Sequence, residues 1–229
     1  MTLRKQRVTQ GAPKKGVCHE KLAENKLSML EDIINREPLI QDILWQLNDG
    51  LASDLHYHSE LHTRGVMRHT WNLVNADDLA ERDKLLLCIA AAYHDAGFLI
   101  RRENNESIGA EMASSAMSNS GRFTIEEQHL VAQMILDTKF MREGPAQISQ
   151  TRLSPWLLDA DLSNIGSENF WESTRLLALE LNLNFNEILP ITRDLMTRHA
   201  WLSPAGKRAY KAGKTQNLLL LNEKLRSIQ

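Results

Sequence analysis

Cysteine is scarce in this 229-residue sequence: the two cysteines, Cys18 and Cys88, lie far apart and form no CxxC pair. The scarcity argues against a disulfide framework and against a zinc site built from thiolates. The sequence also lacks an apolar run approaching the roughly 20 residues that cross a bilayer, and its N-terminus lacks the apolar core of a signal peptide. We therefore expect a soluble, cytoplasmic protein without a membrane partner.

An excess of charge of one sign is missing as well. The chain has 27 Lys and Arg residues against 29 Asp and Glu residues, for a formal net charge of -2. The summed electrostatic field therefore gives no reason to expect binding to a nucleic-acid polymer. We expect partners to bind at local sites of the protein instead.

The alternation of apolar and polar residues that marks β-strands is absent, and from residue 17 onward the apolar residues recur at helical spacing. We predict an all-α fold, a compact bundle of helices in which residues 17–229 form a single domain. Residues 1–16 carry basic side chains among Thr, Gln, Gly and Pro and have little to bury, so we predict a disordered basic tail there.

Capping residues, prolines and a glycine predict where several helices begin and end. Thr124 and Glu127 have the spacing of a capping box at a helix start. A serine N-cap followed by a proline as the first helical residue predicts two further helix starts, at Ser154–Pro155 and at Ser203–Pro204. Gly166 is the predicted stop of the helix that begins at Ser154. The segment from Leu85 to Tyr93 is apolar on every side, which predicts a helix surrounded by other helices.

Histidines are more informative by placement than by number. His58 and His62 are four residues apart, so on a helix they would lie on one face and could bind one ligand. A pair of surface or capping histidines explains this spacing equally simply. His94 and Asp95 end the apolar helix, where they are costly to bury unless they are paired or bound to a cation. Capping of the helix end is the alternative interpretation of this doublet.

Asp161 is a third candidate element of a site. It follows Leu158 and Leu157 by three and four residues, so helical geometry turns it to their apolar side, whereas Asp159 points elsewhere. An N-cap or a buried salt bridge would also explain such an aspartate. Two imidazoles and two carboxylates together form a mixed nitrogen and oxygen set that suits one divalent cation, with Mn, Fe, Zn, Mg and Ni all admissible. Such a set leaves coordination positions open for water and substrate.

The order of these residues resembles the H...HD...D signature of the HD superfamily of metal-dependent phosphohydrolases. The resemblance rests on His62, the doublet His94 and Asp95, and Asp161, and on the flanking text YHSELHT, AAYHDAGF, NNES, LDTKF and DADLSNIG. The similarity extends from about residue 50 to residue 225. Within the superfamily, the flanking text resembles one uncharacterised subgroup. The signature region spans residues 50–165, and the helices of residues 168–227 are expected to pack on it.

The resemblance implies metal-dependent hydrolysis of a phosphomonoester or phosphodiester, often in a nucleotide or a related small molecule. The metal ligands would be His62, His94, Asp95 and Asp161. By similarity to cyclic-nucleotide phosphodiesterases, His58 is the candidate general acid that protonates the leaving oxygen. Asp95 is expected to combine the roles of ligand and catalytic base.

Three further residues are candidates for substrate binding, namely Asn105, Glu106 and Lys139. Related sequences commonly have NHE where this one has Asn104, Asn105 and Glu106, and because an amide is a weaker ligand than imidazole, one metal is expected here and not two. Glu106 could orient a ligand histidine or a bound water. Lys139 could contact a substrate phosphate, although a solvated lysine at a helix C-terminus is as simple an explanation.

The remaining histidines have no support as ligands from the resemblance, and we interpret them as surface or capping residues: His56, His69, His129 and His199. His199 is the strongest exception because it lies just before the final helix. Trp156, Trp171 and Trp201 are predicted to pack in the core. Two alternatives stay open, a catalytically weak nucleotide-binding regulatory module and a purely structural helical protein. The substrate and a homo-oligomeric state stay open too, since the leucine-rich last helix could pack on its own core or on a second subunit.

Overall fold

The computed structural model describes residues 30–228, which are all-helical and contain no strand. The predicted all-α fold is therefore confirmed, while the predicted tail of residues 1–16 lies outside the described residues. The helices are α1 (residues 30–36), α2 (Pro38–Gly50), α3 (Glu60–Ala76), α4 (Glu81–Tyr93), α5 (Asn105–Ser120), α6 (Ile125–Asp137), α7 (Ser154–Asp161), α8 (Phe170–Glu180), α9 (Phe185–Arg198) and α10 (Pro204–Ile228). Two 3₁₀ turns span Ala96–Leu99 and Ser163–Gly166. No helix among residues 30–228 is long and apolar enough to cross a membrane.

The predicted core helix is α4. It packs against α2, α3, α5, α6 and α7, and every residue from Leu86 to Tyr93 is buried. A helix with neighbours on all sides must be apolar all round, which is the pattern that its sequence shows. A second, smaller apolar cluster lies between α8, α9 and α10 and includes Phe170 and Trp201. Tyr210 on α10 packs against both clusters.

The capping predictions have different outcomes. Thr124 and Glu127 form the predicted capping box, with the Glu127 amide donating to Thr124 Oγ1 at 3.3 Å and the Thr124 amide donating to Glu127 Oε2 at 2.9 Å. Pro204 begins α10 as predicted, and Ser203 Oγ accepts the amide N–H of Gly206 at 2.9 Å. These caps depend on residues close in sequence, so the sequence alone predicts them.

The predicted N-cap at Ser154 is wrong by one residue. Ser154 is the first residue of α7, and its hydroxyl donates to the buried carboxylate of Asp137 at 2.6 Å instead of capping the helix. Thr151 Oγ1 instead accepts a hydrogen bond from the amide of Ser154 at 3.0 Å and thereby caps the first N–H group of α7. Gly166 ends the 3₁₀ turn that follows α7 and not α7 itself, which already ends at Asp161.

Glycines allow α5 to approach the end of α4 closely. A Cβ added at Gly97 would lie 2.0 Å from the carbonyl oxygen of Asn105, and one added at Gly109 would lie 2.6 Å from the carbonyl oxygen of Tyr93. Only a residue without a side chain fits at such contacts. The close approach brings the first residue of α5, Asn105, next to Asp95.

The three tryptophans that were predicted to pack do so. Trp201 is buried in the smaller cluster, and Trp171 packs against it. Trp156 packs against the main core, and its indole N–H donates to Asp77 Oδ2 at 2.9 Å. The hydrogen bond of this half-buried indole thus also ties α7 to the end of α3.

Candidate metal centre

Four side chains converge where α3 begins and where α4 and α7 end. His62 lies in the first turn of α3, His94 caps the C-terminus of α4 and Asp95 follows it, and Asp161 is the last residue of α7. His62, His94 and Asp161 each offer a ligand atom within 4.8 Å of the others. Residues that the sequence spreads over a hundred positions are thus brought to one point by the packing of α3 and α7 on α4.

Distances within the cluster are short. Nε2 of His62 lies 3.5 Å from Oδ2 of Asp95 and 3.5 Å from Oδ1 of Asp161. Nε2 of His94 lies 3.0 Å from the same atom of Asp95 and 3.7 Å from the same atom of Asp161. Asp95 therefore belongs to the same cluster as the other three residues.

Three of these atoms are buried without a hydrogen-bond partner among the described residues. They are Nε2 of His62, Nε2 of His94 and Oδ2 of Asp95. A buried polar atom left unpaired costs on the order of 1–3 kcal/mol, so three of them at one point need an explanation. A common ligand that all three atoms contact would provide one, and a proton on Nε2 of His94 would pair two of them, since this atom lies 3.0 Å from Oδ2 of Asp95.

The orientation of His94 is fixed by the backbone. Its Nδ1 lies 2.8 Å from the carbonyl oxygen of Ala91, which can only accept, so Nδ1 is the donor. The other ring nitrogen, Nε2, is thereby turned toward the two carboxylates, where it can bind a metal ion once it has lost its proton. This is the usual arrangement of a histidine that binds a metal ion.

Proton affinities in the cluster follow from burial and from opposite charges. Burial lowers the pKa of His94, but the negative charges of Asp95 and then Asp161 outweigh it, and the pKa of His94 rises to about 9. Burial raises the pKa of Asp95, but the positive charges of His94 and His58 hold it well below its usual range. The cluster therefore attracts a positive charge, which protons or a metal ion can supply.

His58 lies beside the cluster but not on the helix of His62. Ser59 is the N-cap of α3, so His58 precedes the helix, and the prediction that both histidines share a helical face is wrong. Their rings are nevertheless close, with centroids 5.8 Å apart. A serine N-cap has extended backbone, which breaks the helix before it reaches His58.

A carboxylate that the sequence did not indicate holds His58. Glu180, at the end of α8, accepts a hydrogen bond from Nδ1 of His58 at 2.5 Å and from the amides of Tyr57 and His58 at 2.9 Å each. Its side chain is 1% exposed. Burial lowers the pKa of His58, but Asp95 and then Glu180 outweigh it, so the pKa of His58 is raised.

Two aromatic residues of the site were also not predicted. Phe98 stacks on the ring of His58 with centroids 4.6 Å apart and an angle of 22° between the rings. Tyr57 packs against His62 with centroids 4.7 Å apart. Burial, and then the charges of Asp161, Asp95 and Glu180, raise the pKa of Tyr57 well above its usual value, so its hydroxyl remains a hydrogen-bond donor.

Asn105 and Glu106 lie at the edge of the cluster. The Asn105 amide donates to Oδ1 of Asp95 at 3.5 Å, or, with the amide turned over, to Arg102 O at 3.3 Å and to the Glu106 carboxylate at 3.1 Å. Either orientation brings Asn105 between Asp95 and Glu106. The predicted role of Glu106 in orienting a ligand histidine is not needed for His94, whose Nδ1 faces Ala91.

Lys139 is exposed, just beyond the end of α6, and its side chain forms no ion pair with a carboxylate of residues 30–228. Its neighbour Thr138 is connected to the site through Gln147, whose side-chain amide donates to Thr138 O at 2.8 Å and to Oδ2 of Asp161 at 3.3 Å. Contact of Lys139 with a substrate stays a prediction.

The other histidines lie outside the cluster. His56 and His129 are exposed. His69 contacts the hydroxyl of Tyr210 at 2.8 Å, and burial lowers its pKa to about 4. His199 is buried at the C-cap of α9, where burial and then the charge of Lys214 lower its pKa to about 3.

We expect His199 to make the protein sensitive to acid. Because its pKa is about 3 in the folded protein and about 6.5 in the unfolded chain, the unfolded state binds the extra proton first as pH falls below 6.5. The free energy of unfolding should then drop by on the order of 1–2 kcal/mol from this residue between pH 7 and pH 5. Urea unfolding of the wild type and of His199→Gln at both pH values measures the effect. Equal losses of stability in the two proteins would contradict it.

No protein-family model and no curated protein matches this chain.

Proposed function

We propose that this chain is a metal-dependent phosphohydrolase of the HD superfamily, acting on a phosphomonoester or phosphodiester of a small molecule such as a nucleotide. The observation that carries the proposal is the convergence of His62, His94, Asp95 and Asp161, with buried ring nitrogens and a carboxylate oxygen that have no hydrogen-bond partner. The order of these four residues along the chain resembles the HD signature, which supports the proposal.

The residues fit a divalent ion. Two ligand atoms that each lie about 2.1 Å from one cation are about 3.0 Å apart at a right angle and about 3.4 Å apart at a tetrahedral angle. The four histidine–aspartate pairs of the cluster are 3.0 Å to 3.7 Å apart. Two imidazoles and two carboxylates suit Mn, Fe, Zn, Mg or Ni. When bound, such an ion lowers the pKa of a coordinated water and neutralises charge on a phosphoryl oxygen.

His58 has the arrangement of a general acid in this proposal. Glu180 accepts a hydrogen bond from Nδ1, so Nε2 is the atom that can donate a proton to the leaving oxygen. The carboxylates of Asp95 and Glu180 raise the pKa of His58, which favours its protonated form, and stacking on Phe98 fixes the plane of its ring. Glu180 is a positioning residue, because it acts on the reaction through His58.

The edge of the cluster would bind the rest of the substrate. Asn105 contacts Asp95, so its amide and the neighbouring Glu106 can orient a water or a substrate oxygen there. The exposed Lys139 could bring a positive charge to a phosphate. We propose Asp95 as both a ligand and an acceptor of the proton of the attacking water.

Removal and return of metal tests the proposed function. Protein stripped with a chelator should lose hydrolysis of a panel of phosphomonoesters and phosphodiesters, and one equivalent of Mn, Fe, Zn, Mg or Ni should restore it. Full activity after stripping would refute the proposal. Metal that binds without turnover on any substrate would favour the regulatory module instead.

A further inference from the structure

A groove separate from the histidine cluster runs between α10 and the end of α9. Its volume is about 560 Å³, and it is lined by Lys207, Lys211 and Lys214 together with apolar side chains such as Trp201 and Leu218. None of the described residues that line it is acidic. Pockets for small organic ligands have volumes of about 300–1,000 Å³ and combine an apolar floor with a few polar groups.

The three lysines form one row. They are spaced by four and three residues on α10, so they share a face of the helix and span about 10 Å along it. None of the ion pairs among residues 30–228 involves them, whereas the neighbouring Arg208 pairs with Asp77. The positive charge of Lys207 acts on the carboxylate of Asp159. Asp159 is fully buried, however, and already accepts hydrogen bonds from the hydroxyl of Ser203 at 2.6 Å and from its amide at 2.8 Å.

Among the described residues, Lys214 is held in place by neutral groups only. Its ammonium donates to the carbonyl oxygen of His199 at 2.6 Å and to Nδ1 of the same residue at 3.1 Å. Burial lowers the pKa of Lys214, since no opposite charge compensates for the lost water. An anion bound in the groove would supply that missing charge.

The apolar wall beside the lysines is closely packed. Trp201 is 6% exposed, and its ring packs on His199 and on Tyr210 with centroids 4.4 Å and 5.1 Å away. Leu218 and Met196 line the same groove. A ligand here would place its negative groups along the lysine row and an apolar part against these side chains.

We propose that this groove is a second ligand site, which binds a small organic phosphate with at least two negative charges and an apolar part. Lysine binds phosphate as a mobile point charge, so three lysines in a row suit a chain of phosphates better than one carboxylate. The inference does not depend on the proposed function, because no residue of the groove belongs to the histidine cluster.

Calorimetric titration with ATP tests the groove, with chelator present so that no divalent ion bridges the ligand to the histidine cluster. We expect the Lys207→Gln/Lys211→Gln protein to bind ATP at least tenfold more weakly than the wild type. Both substitutions lie on exposed helix positions that tolerate glutamine, so the fold should be retained. Lys224→Gln, on the same helix but outside the groove, is the matched control and should bind like the wild type.

Two further titrations separate the parts of the ligand and the two sites. Pyrophosphate and adenosine should each bind more weakly than ATP, since each lacks one half of the proposed ligand. His62→Ala, which alters the histidine cluster, should bind ATP like the wild type. The proposal is overturned if ATP does not bind, if the lysine variant binds it as tightly as the wild type does, or if His62→Ala abolishes binding.

Discussion

The His62→Ala protein is expected to lose its divalent metal and at least 100-fold of its phosphoester hydrolysis while it stays folded. Loss of an outer partner of a metal ligand costs 10–100-fold in affinity, so loss of a ligand should cost more. The fold should survive because His62 lies in the first turn of α3 with no hydrogen bond from its ring to another described residue. Metal analysis, circular dichroism and initial rates measure the three expectations.

His129→Ala is the matched control for this substitution. His129 is exposed on α6 and is not one of the residues of the cluster. Its variant should keep the metal content and the hydrolytic rate of the wild type. A His62→Ala protein that retains both metal and activity would defeat the assignment of the site.

The second large effect is expected at His58. His58→Gln should lower the rate by about 10²–10⁴-fold on esters with an alcohol leaving group, because those leaving oxygens need a proton. Esters of nitrophenol should be affected much less, since nitrophenolate leaves without a proton. Metal content should stay that of the wild type. An equal loss on both kinds of ester would contradict the role of His58 as general acid.

Glu180→Gln separates positioning from proton donation. Glu180 helps to raise the pKa of His58, so its loss should lower that pKa, and His58 should then lose its proton at a lower pH. The alkaline limb of the rate profile is therefore expected to shift to lower pH than in the wild type. A purely structural role of Glu180 would lower the rate without moving this limb.

The elements that the sequence predicts best are those set by residues close to one another along the chain. The capping box of Thr124 and Glu127 and the all-apolar helix α4 are such local features. Ser154 shows the limit, because its hydroxyl bonds to Asp137, 17 residues away, and not to its own helix. A cap can be predicted from its neighbours only where no distant partner competes for the same hydroxyl.

The candidate site was predictable in part. Spacing and burial indicated His94 and Asp95 as a costly buried pair, and the resemblance joined them to His62 and Asp161. Glu180 was not predictable, since it is separated from His58 by 122 residues and lies in a segment without a motif. The backbone carbonyl that orients His94 likewise leaves no mark in the sequence, because every residue has one.

Metal content by elemental analysis tests the central claim most directly. The wild type and Asp161→Ala, both purified without a histidine tag, would be analysed together with product release from the phosphoester panel. We predict about one metal per chain in the wild type, and loss of both metal and activity in Asp161→Ala. The absence of metal from both proteins after incubation with Mn, Fe, Zn, Mg or Ni would contradict the account and would make His94 and Asp95 structural residues.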